Sequence, residues 1–183
     1  MEFNNSETYK NLLKTFAGEA RARDMYNFFG EMARGEGYNY VGKIFDDTAA
    51  NEYAHAREVF KRYLKMVGST EENLKSAAAG EANEYENLYK EFEDTARSEG
   101  FDNIADFYAD LREVEESHNK RYKALYNQVK EGTIFKGTPN SMWRCMNCGY
   151  IYEGAEAPEF CPLCKFPRSY FEPYTPETKE GER

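Results

Sequence analysis

The two histidines of this 183-residue chain each follow a glutamate by three positions, as Glu52/His55 and Glu115/His118. Residues three apart share one face of an α-helix, so each pair presents a carboxylate and an imidazole to the same region of space. Two such pairs can serve two metal ions. The sequence therefore predicts a metal site, and the alternative interpretation is two polar pairs on helix surfaces.

The two pairs belong to an internal repeat with a shift of 63 residues. The same shift superimposes further positions: Tyr26 on Tyr89, Phe29 on Phe92, Ala33-Arg34 on Ala96-Arg97, Glu36-Gly37 on Glu99-Gly100, and Tyr38 on Phe101. The segment around Glu19 recurs around Glu81 with a shift of 62, so the copies slip by one residue there. We interpret the first 130 residues as a duplicated helical hairpin, in which each half contributes one lone Glu and one Glu-x-x-His.

Glycines and capping residues predict four long helices, over about 6–34, 39–66, 70–100 and 102–130. Thr70 is the expected N-cap of the third helix, with Glu71 and Glu72 in its first turn, where the helix dipole favours acidic residues. Short connections make the two helices of each half antiparallel. Only a few residues join the second helix to the third, and the sequence does not decide between a short turn and a crossover.

Helical periodicity places the candidate ligands on apolar faces. Around Glu52, for example, lie Phe45, Val59 and Tyr63. An unpaired ionised carboxylate on such a face is costly, so bound cations are the economical explanation. The candidate ligands are Glu19, Glu52, His55, Glu81, Glu115 and His118. A Glu from each of two helices and a Glu-x-x-His from each of the other two is the ligand set of ferritin-like di-iron or di-manganese bundles, so we predict an all-α four-helix bundle of that type.

One further carboxylate breaks the twofold pattern. Glu84 lies three residues after Glu81, on the same helix face, where the first half has Ala22. We predict that it is a seventh ligand, and the alternative is a helix-surface charge.

All four cysteines lie near the C-terminus, in the pairs Cys145-x-x-Cys148 and Cys161-x-x-Cys164. Two such knuckles predict a tetrahedral site for iron or zinc; disulfides are the weaker interpretation, because the pairs lie in turn sequences of a chain without an export signal. The neighbouring Trp143, Gly149-Tyr150, Pro162-Leu163, Phe160, Phe166 and Phe171 resemble a short rubredoxin, which implies iron. A structural zinc ribbon is the alternative. Rubredoxins usually have Gly after the last cysteine, where this chain has Lys165; a positive φ there would cost roughly 1 kcal/mol.

Composition divides the chain into a ferritin-like bundle (1–130), a linker (131–141), a rubredoxin-like Fe(Cys)4 module (142–173) and a polar tail (174–183). The net charge of −9 disfavours binding to nucleic acid and to anionic membranes. The N-terminus has no basic region followed by an apolar run, and no stretch approaches the ~18 apolar residues of a membrane span. We therefore expect a protein of the reducing cytoplasm.

A Glu/Glu-x-x-His bundle followed by a rubredoxin-like module resembles the rubrerythrin family over nearly the full length of the chain. The resemblance implies a non-haem di-iron peroxidase that reduces hydrogen peroxide to water and protects oxygen-sensitive cells from oxidative stress. It implies two irons in a carboxylate-bridged site and one iron in the tetrathiolate site. The resemblance implies that Glu52 and Glu115 bridge the irons and that Glu19 and Glu81 are terminal ligands. It further implies that His118 holds one iron, and that the other iron exchanges Glu84 for His55 on reduction. Tyr26 and Tyr89 match family tyrosines just outside the ligand set, and the alternative for either is ordinary core packing.

The resemblance also implies partners. Electrons would come from an external protein, such as a rubredoxin or its reductase, because the chain has no Gly-rich dinucleotide fingerprint. We expect a homodimer or higher homo-oligomer, in which the module of one chain serves the bundle of another. Two other classes stay open: a ferroxidase or iron-storage protein of ferritin type, which has no obvious use for the cysteine module, and a non-catalytic metal-binding stress protein with structural zinc.

Overall fold

The structure is a computed structural model that describes residues 2–176. The chain divides into two compact units, and the boundary falls between Ser69 and Thr70. The first unit is a helical hairpin; the second unit holds another helical hairpin and a small three-stranded sheet around the cysteines. This mostly helical architecture with a C-terminal four-cysteine module confirms the predicted ferritin-like fold class.

In the first unit, helix α1 (Glu7–Gly35) and helix α2 (Asn39–Arg57) form the hairpin. Ser6 caps α1, because its hydroxyl oxygen accepts a hydrogen bond from the Tyr9 backbone N–H at 3.1 Å. Gly37 turns the chain with a φ of 88°, which favours glycine. The second predicted helix continues beyond α2 as a π-helical segment, Glu58–Tyr63 (the first π-segment).

In the second unit, helix α3 (Thr70–Asn83), the second π-segment (Glu84–Leu88) and helix α4 (Tyr89–Ser98) follow one another without a break. They occupy the range predicted for a single third helix. Helix α3 already includes Thr70, so the cap position falls one residue earlier than expected, on Ser69. Helix α5 (Asp102–Lys130) has the bounds that the sequence predicted. Gly100 repeats the turn of Gly37, with a φ of 83°.

The second π-segment explains the one-residue slip in the repeat. A π-segment accommodates an extra residue in a helix by widening one turn. Glu81 and Tyr89 are eight residues apart, whereas their counterparts Glu19 and Tyr26 are seven apart. Because the π-segment absorbs the extra residue, the helix after it returns to the same face as in the first half.

The contacts within each hairpin are made mainly by small side chains. In the described part of the first unit, the buried apolar side chains are Ala33, Ala49, Ala56, Val59 and Leu64. In the second hairpin they are Ala78, Ala96 and Ala105. Asn119 is also buried there, and its side-chain amide donates a hydrogen bond to the Ala78 carbonyl. Helices α1 and α2 approach so closely that a Cβ on Gly30 would lie 2.8 Å from the Asp46 carboxylate.

The cysteine module contains strands β1 (Met142–Cys145), β2 (Ile151–Glu153) and β3 (Phe171–Tyr174), in the antiparallel order β2-β1-β3. Its core consists of Trp143, Cys145, Ala157, Cys161 and Phe171. Phe135, from the predicted linker, packs against this core, and its carbonyl accepts a hydrogen bond from the Ala157 N–H at 2.9 Å. Part of the linker is thus attached to the module.

The predicted tail begins inside strand β3, at Tyr174, and its residues 177–183 lie outside the described part of the chain. Among the described residues, none of the helices combines the length and the apolar character that crossing a membrane requires.

Candidate metal centres

The first candidate centre lies between the two helices of the first hairpin. Glu19 projects from α1, and Glu52 and His55 project from α2, with one ligand atom of each within 4.8 Å of the others. The His55 Nδ1 lies 2.9 Å from a Glu52 carboxylate oxygen and 3.5 Å from a Glu19 carboxylate oxygen. The Glu-x-x-His spacing brings its two ligands together, and the hairpin adds the third.

The second candidate centre repeats this arrangement in the second unit. Glu81 comes from α3, and Glu115 and His118 come from α5, again with ligand atoms within 4.8 Å. The His118 Nδ1 lies 2.8 Å from a Glu115 oxygen and 3.7 Å from a Glu81 oxygen. All six predicted ligands therefore lie in two Glu/Glu/His triads, one in each hairpin.

Both triads fit a cation, but their electrostatics differ. In the first triad, a hydrogen bond with Glu19 and then one with His55 lower the pKa of Glu52, and the hydrogen bond with Glu52 raises the pKa of His55. In the second triad, burial raises the pKa of Glu81, and hydrogen bonding to the neighbouring Glu115 raises it further. A bound cation would relieve that repulsion, since it stabilises both carboxylates in their charged form.

Glu84, the predicted seventh ligand, begins the second π-segment and is not one of the three residues of the second triad. The charge of Glu84 affects the pKa of two nearby residues, Glu81 and Tyr89. It contributes to raising the pKa of Glu81, and it is the largest charge effect on Tyr89, whose pKa is raised first by burial. Glu84 thus lies within electrostatic reach of both residues.

The two predicted tyrosines occupy matching aromatic environments. Tyr26 packs near Phe29 and Phe45, with ring centroids 6.3 and 6.1 Å away. Tyr89 packs near Phe92 and Tyr108, at 6.2 and 6.0 Å. The repeat therefore extends to the rings beside the ligands.

Sequence reasoning missed Arg112, which supports the second π-segment next to the second triad. Its Nε donates a hydrogen bond to the Tyr85 carbonyl in the second π-segment at 2.9 Å, and its Nη1 lies 2.8 Å from the Glu93 carboxylate. A π-segment disturbs the helical hydrogen-bond ladder, and the guanidinium provides this carbonyl with a donor. The signal lay in the repeat, because the first half has the small residues Gly30 and Ala49 at the positions of Glu93 and Arg112.

The four cysteine sulfurs form the third candidate centre, with all four Sγ atoms within 4.8 Å of one another. The Sγ atoms of Cys145 and Cys164 are 3.7 Å apart, and so are those of Cys148 and Cys161. A tetrahedral ion with metal–sulfur bonds of about 2.3 Å requires sulfur–sulfur distances of roughly 3.8 Å, whereas a disulfide requires about 2.0 Å. The separation fits a tetrathiolate metal site and not a pair of disulfides.

Matching backbone hydrogen bonds shape the two knuckles. The Cys145 N–H donates to Tyr150 and the Gly149 N–H to Cys145; likewise, the Cys161 N–H donates to Phe166 and the Lys165 N–H to Cys161. Gly149 has a φ of 76° and Lys165 a φ of 63°. The position where rubredoxins usually have Gly therefore has the left-handed backbone that the sequence suggested, with Lys in it.

The thiols are not equivalent. A backbone hydrogen bond from Phe166 lowers the pKa of Cys164 to about 6. A backbone hydrogen bond from Tyr150 acts in the same direction on Cys148, but burial and the neighbouring thiols outweigh it and raise that pKa to about 12. A metal ion would therefore meet Cys164 as a thiolate first, and its charge would favour deprotonation of the others.

Comparison with known proteins agrees with this geometry. The family model described as Rubrerythrin matches residues 10–126, and the one described as Rubrerythrin, rubredoxin-like domain matches residues 143–172. A rubrerythrin of Porphyromonas gingivalis is 41% identical over 181 residues, covering 92% of this chain and 90% of the relative. A rubrerythrin of Nitratidesulfovibrio vulgaris is 40% identical over 180 residues, covering 91% and 94%.

Among solved structures, one titled "Partially Reduced State of Nigerythrin" is 30% identical and covers 90% of this chain and 85% of its own, with a TM-score of 0.36. The described residues combine carboxylate and histidine candidates for a di-iron site with a rubredoxin-like four-cysteine site. The ligand triads, the cysteine module and the matches over both regions show that this chain belongs to the rubrerythrin family.

Proposed function

We propose that this chain is a non-haem di-iron peroxidase that reduces hydrogen peroxide to water and protects the cell from oxidative stress. The observation that carries the proposal is the presence, in one chain, of two Glu/Glu/His triads and a tetrathiolate site. The six triad ligands suffice for two irons, and the four thiolates suffice for a third. Family membership supports redox chemistry at these sites.

The proposed ligand roles follow the symmetry of the triads. The carboxylate of each Glu-x-x-His pair, Glu52 and Glu115, would serve as a bridging ligand, and the lone Glu19 and Glu81 would be terminal ligands. The short distance from each histidine to its bridging carboxylate, 2.9 Å and 2.8 Å, supports a shared ion position.

The proposed exchange concerns one of the two ions. His118 would hold one ion in both oxidation states, whereas the other would be held by His55 in the reduced state and by Glu84 in the oxidised state. The greater exposure of His55, 62% against 37% for His118, supports a less constrained ligand in the first triad. The harder ferric ion prefers a carboxylate, and the ferrous ion accepts an imidazole.

Reduction of hydrogen peroxide to two waters consumes two electrons and two protons. Bound iron would supply one electron from each of two ferrous ions to the O–O bond. The six triad residues would hold the two ions, and the Tyr89 hydroxyl lies within electrostatic reach of Glu84, Glu115 and Glu81. A tyrosine hydroxyl is protonated near neutral pH in any case, so that of Tyr89 can donate a hydrogen bond.

Two electrons must then return to the centre. We assign their path to the four-cysteine site, which would pass them singly from an external reduced protein such as a rubredoxin or its reductase. Phe160 and Leu163 beside this site are exposed, at 56% and 66%, which supports contact with a donor protein. Four free thiols suit a reducing cytoplasm.

The test is rapid mixing of the fully reduced, iron-loaded protein with peroxide and, separately, with dioxygen. We expect three irons per chain and faster oxidation by peroxide. Preferred reaction with dioxygen and mineralisation of added iron would instead identify a ferroxidase, and zinc in the cysteine site of protein from its native source would exclude the electron path.

A matched variant separates the two centres. Cys161→Ser should abolish steady-state turnover driven through the module, while peroxide still oxidises a chemically reduced di-iron site once. Unchanged multiple turnover would show that electrons bypass the tetrathiolate site.

A further inference from the structure

Three features that distinguish the second hairpin from the first lie next to one another. Helix α3 leads into the second π-segment, whose first residue is Glu84. Beside it, Arg112 and Glu93 form an ion pair, with a nitrogen-to-oxygen distance of 2.8 Å. The first hairpin has a regular helix α1 and the small residues Ala49 and Gly30 at the positions of that pair. Because both halves have a ligand triad, features that occur together in one half alone indicate a shared role.

Arg112 connects a ligand-bearing helix to the second π-segment, which packs against that helix. Its Nε donates a hydrogen bond to the Tyr85 carbonyl at 2.9 Å, and Tyr85 directly follows Glu84. Arg112 lies three residues before Glu115 on α5, so the two side chains project from the same face of that helix. The guanidinium therefore joins the helix of one triad ligand to the wide turn that begins at Glu84.

Glu93 orients the guanidinium toward this turn. Its carboxylate accepts a hydrogen bond from the Arg112 Nη1 at 2.8 Å, and it also lies 3.4 Å from the Arg97 Nη2. The side chain of Glu93 is only 14% exposed and that of Arg112 only 30%, so water screens this pair less than a fully exposed pair. One nitrogen is committed to a carboxylate and another to a carbonyl, so the rigid fork of the guanidinium is fixed at two points.

The wide turn determines where Glu84 lies relative to its neighbours. The Tyr89 N–H donates to the Glu84 carbonyl, five residues earlier, which is the bond of a π-turn rather than of an α-turn. With this turn in place, the Glu84 charge contributes to raising the pKa of both Glu81 and Tyr89, so its carboxylate lies within electrostatic reach of both. A helix can accommodate an extra residue at more than one turn, so an anchor is required to keep the wide turn at Glu84.

We propose that Arg112 is a positioning residue for Glu84. By bonding the Tyr85 carbonyl and the Glu93 carboxylate at once, it holds the wide turn in place and thereby fixes the position of the Glu84 carboxylate. The inference rests on the proposed function, in which Glu84 binds one ion in the oxidised state, and adds the residue that keeps this carboxylate available. Arg112 acts indirectly, through the backbone of the second π-segment.

Amide hydrogen exchange in the metal-free protein tests the anchor. Arg112→Ala should speed exchange at the amides of residues 85–90 by roughly tenfold, because a hydrogen bond from a charged group is lost and the wide turn opens more often. Arg97→Ala is the matched control: it removes the other ion pair of Glu93, leaves the Tyr85 carbonyl bonded, and should not change exchange in this segment. Equal exchange in the parent and in Arg112→Ala would overturn the proposal, whatever the iron chemistry of the protein.

Arg112→Lys separates position from charge, and it also replaces Arg112→Ala if that variant does not fold. Lysine keeps the positive charge and can pair with Glu93, but a single ammonium does not reproduce the fork that also reaches the Tyr85 carbonyl. We expect Arg112→Lys to retain the thermal midpoint of the parent and still to exchange faster than the parent at residues 85–90. Parental exchange in Arg112→Lys would show that the charge alone suffices, and the positioning role would be wrong.

A double-mutant cycle in the iron-loaded protein tests the link to Glu84. Arg112→Lys should slow oxidation of the reduced centre by peroxide up to about tenfold, and it should slow it no further when combined with Glu84→Ala, because both changes act through one carboxylate. Effects that multiply in the double variant would show that Arg112 acts on another group, and would overturn the proposal. Failure of the parent to load two irons or to react with peroxide would refute the proposed function, and the hydrogen exchange of the metal-free variants distinguishes that outcome from failure of the anchor.

Discussion

The two helical hairpins present the same Glu/Glu/His triad in different surroundings. In the first, Gly30 of α1 and Ala49 of α2 are buried small residues, and the helix that carries Glu19 is regular. In the second, Glu93 and Arg112 form an ion pair at the corresponding positions, and a π-segment follows Glu81. The extra residue between Glu81 and Tyr89 thus changed the helix beside the second triad, while the distances from histidine to carboxylate remain similar in the two triads.

This difference indicates how a duplicated site becomes asymmetric. The extra residue introduces the π-segment that begins at Glu84, and Arg112 satisfies the Tyr85 carbonyl within it. The first half has Ala22 in place of Glu84. With the proposed ligand roles, this carboxylate would give one ion an additional ligand that a symmetric centre lacks. The following changes either remove this asymmetry or measure it.

The largest effect is expected from single-residue deletions. Removing Asp24 from the regular helix α1 should rotate Glu19 by about 100° relative to the rest of the helix, dismantle the first triad and abolish di-iron loading. Removing Asn87 from the second π-segment should be tolerated, because it restores the seven-residue spacing of the first half between Glu81 and Tyr89. Iron content and the thermal midpoint measure both, with Asp24→Ala and Asn87→Ala as controls. Equal damage from the two deletions would contradict this account of the π-segment.

Replacing Glu84 tests the asymmetry at the chemical step. Glu84→Ala should retain both irons but slow oxidation by peroxide by roughly tenfold or more, since the ferric ion loses its preferred ligand. His55→Ala should instead impair re-reduction. Stopped-flow measurement of oxidation by peroxide and of re-reduction, alongside iron analysis, distinguishes the two variants. Parental rates at full iron occupancy in Glu84→Ala would mean that Glu84 is a surface charge.

A smaller effect is expected at the ends of the hairpins. The first hairpin ends with Lys65 at a φ of 53°, whereas the second ends with Gly132 at a φ of 64°. Lys65→Gly should stabilise the protein by up to about 1 kcal/mol and Gly132→Lys should destabilise it by a similar amount, because a Cβ is unfavourable in the left-handed region. Urea denaturation of the metal-free protein measures both changes. Opposite signs would show that side-chain contacts outweigh the backbone strain.

The smallest effect is expected from pH, because solvent screens these side chains. The lowered pKa of Glu52 stabilises the metal-free protein above the ordinary value of 4.5, and that contribution is lost as the pH falls through the lowered pKa. The raised pKa of Glu81 has the opposite effect on the stability of the metal-free protein. Its stabilising contribution is present below pH 4.5 and is lost as the pH rises through the raised pKa.

Denaturation of Glu52→Gln and Glu81→Gln at pH 4 and pH 6 separates the two cases. At pH 6, the Glu52 substitution should destabilise the metal-free protein and the Glu81 substitution should stabilise it. Changes in stability of the same sign in both variants would contradict the opposite directions of the two pKa shifts.

Local sequence patterns were enough to predict the candidate ligands and the elements that carry them. The Glu-x-x-His spacing places two ligands on one helix face, because that face repeats every three to four residues. Gly37 and Gly100 mark the hairpin turns, because glycine tolerates the left-handed backbone there. The paired Cys-x-x-Cys knuckles likewise predict the sulfur cluster that the structure contains.

The π-segment, the contacts of Arg112 and the directions of the pKa shifts depend on tertiary packing, so local sequence patterns could not predict them. The sequence contained the one-residue slip, but only the backbone hydrogen bonds show that a π-segment absorbs it. Likewise, Arg112 is an ordinary helical charge in the sequence, and its contacts with the Tyr85 carbonyl and Glu93 depend on how α5 packs against the helix before it. The pKa of Glu52 is lowered and that of Glu81 is raised, and neither direction can be read from the sequence, because burial and hydrogen-bond partners are properties of the packed hairpins.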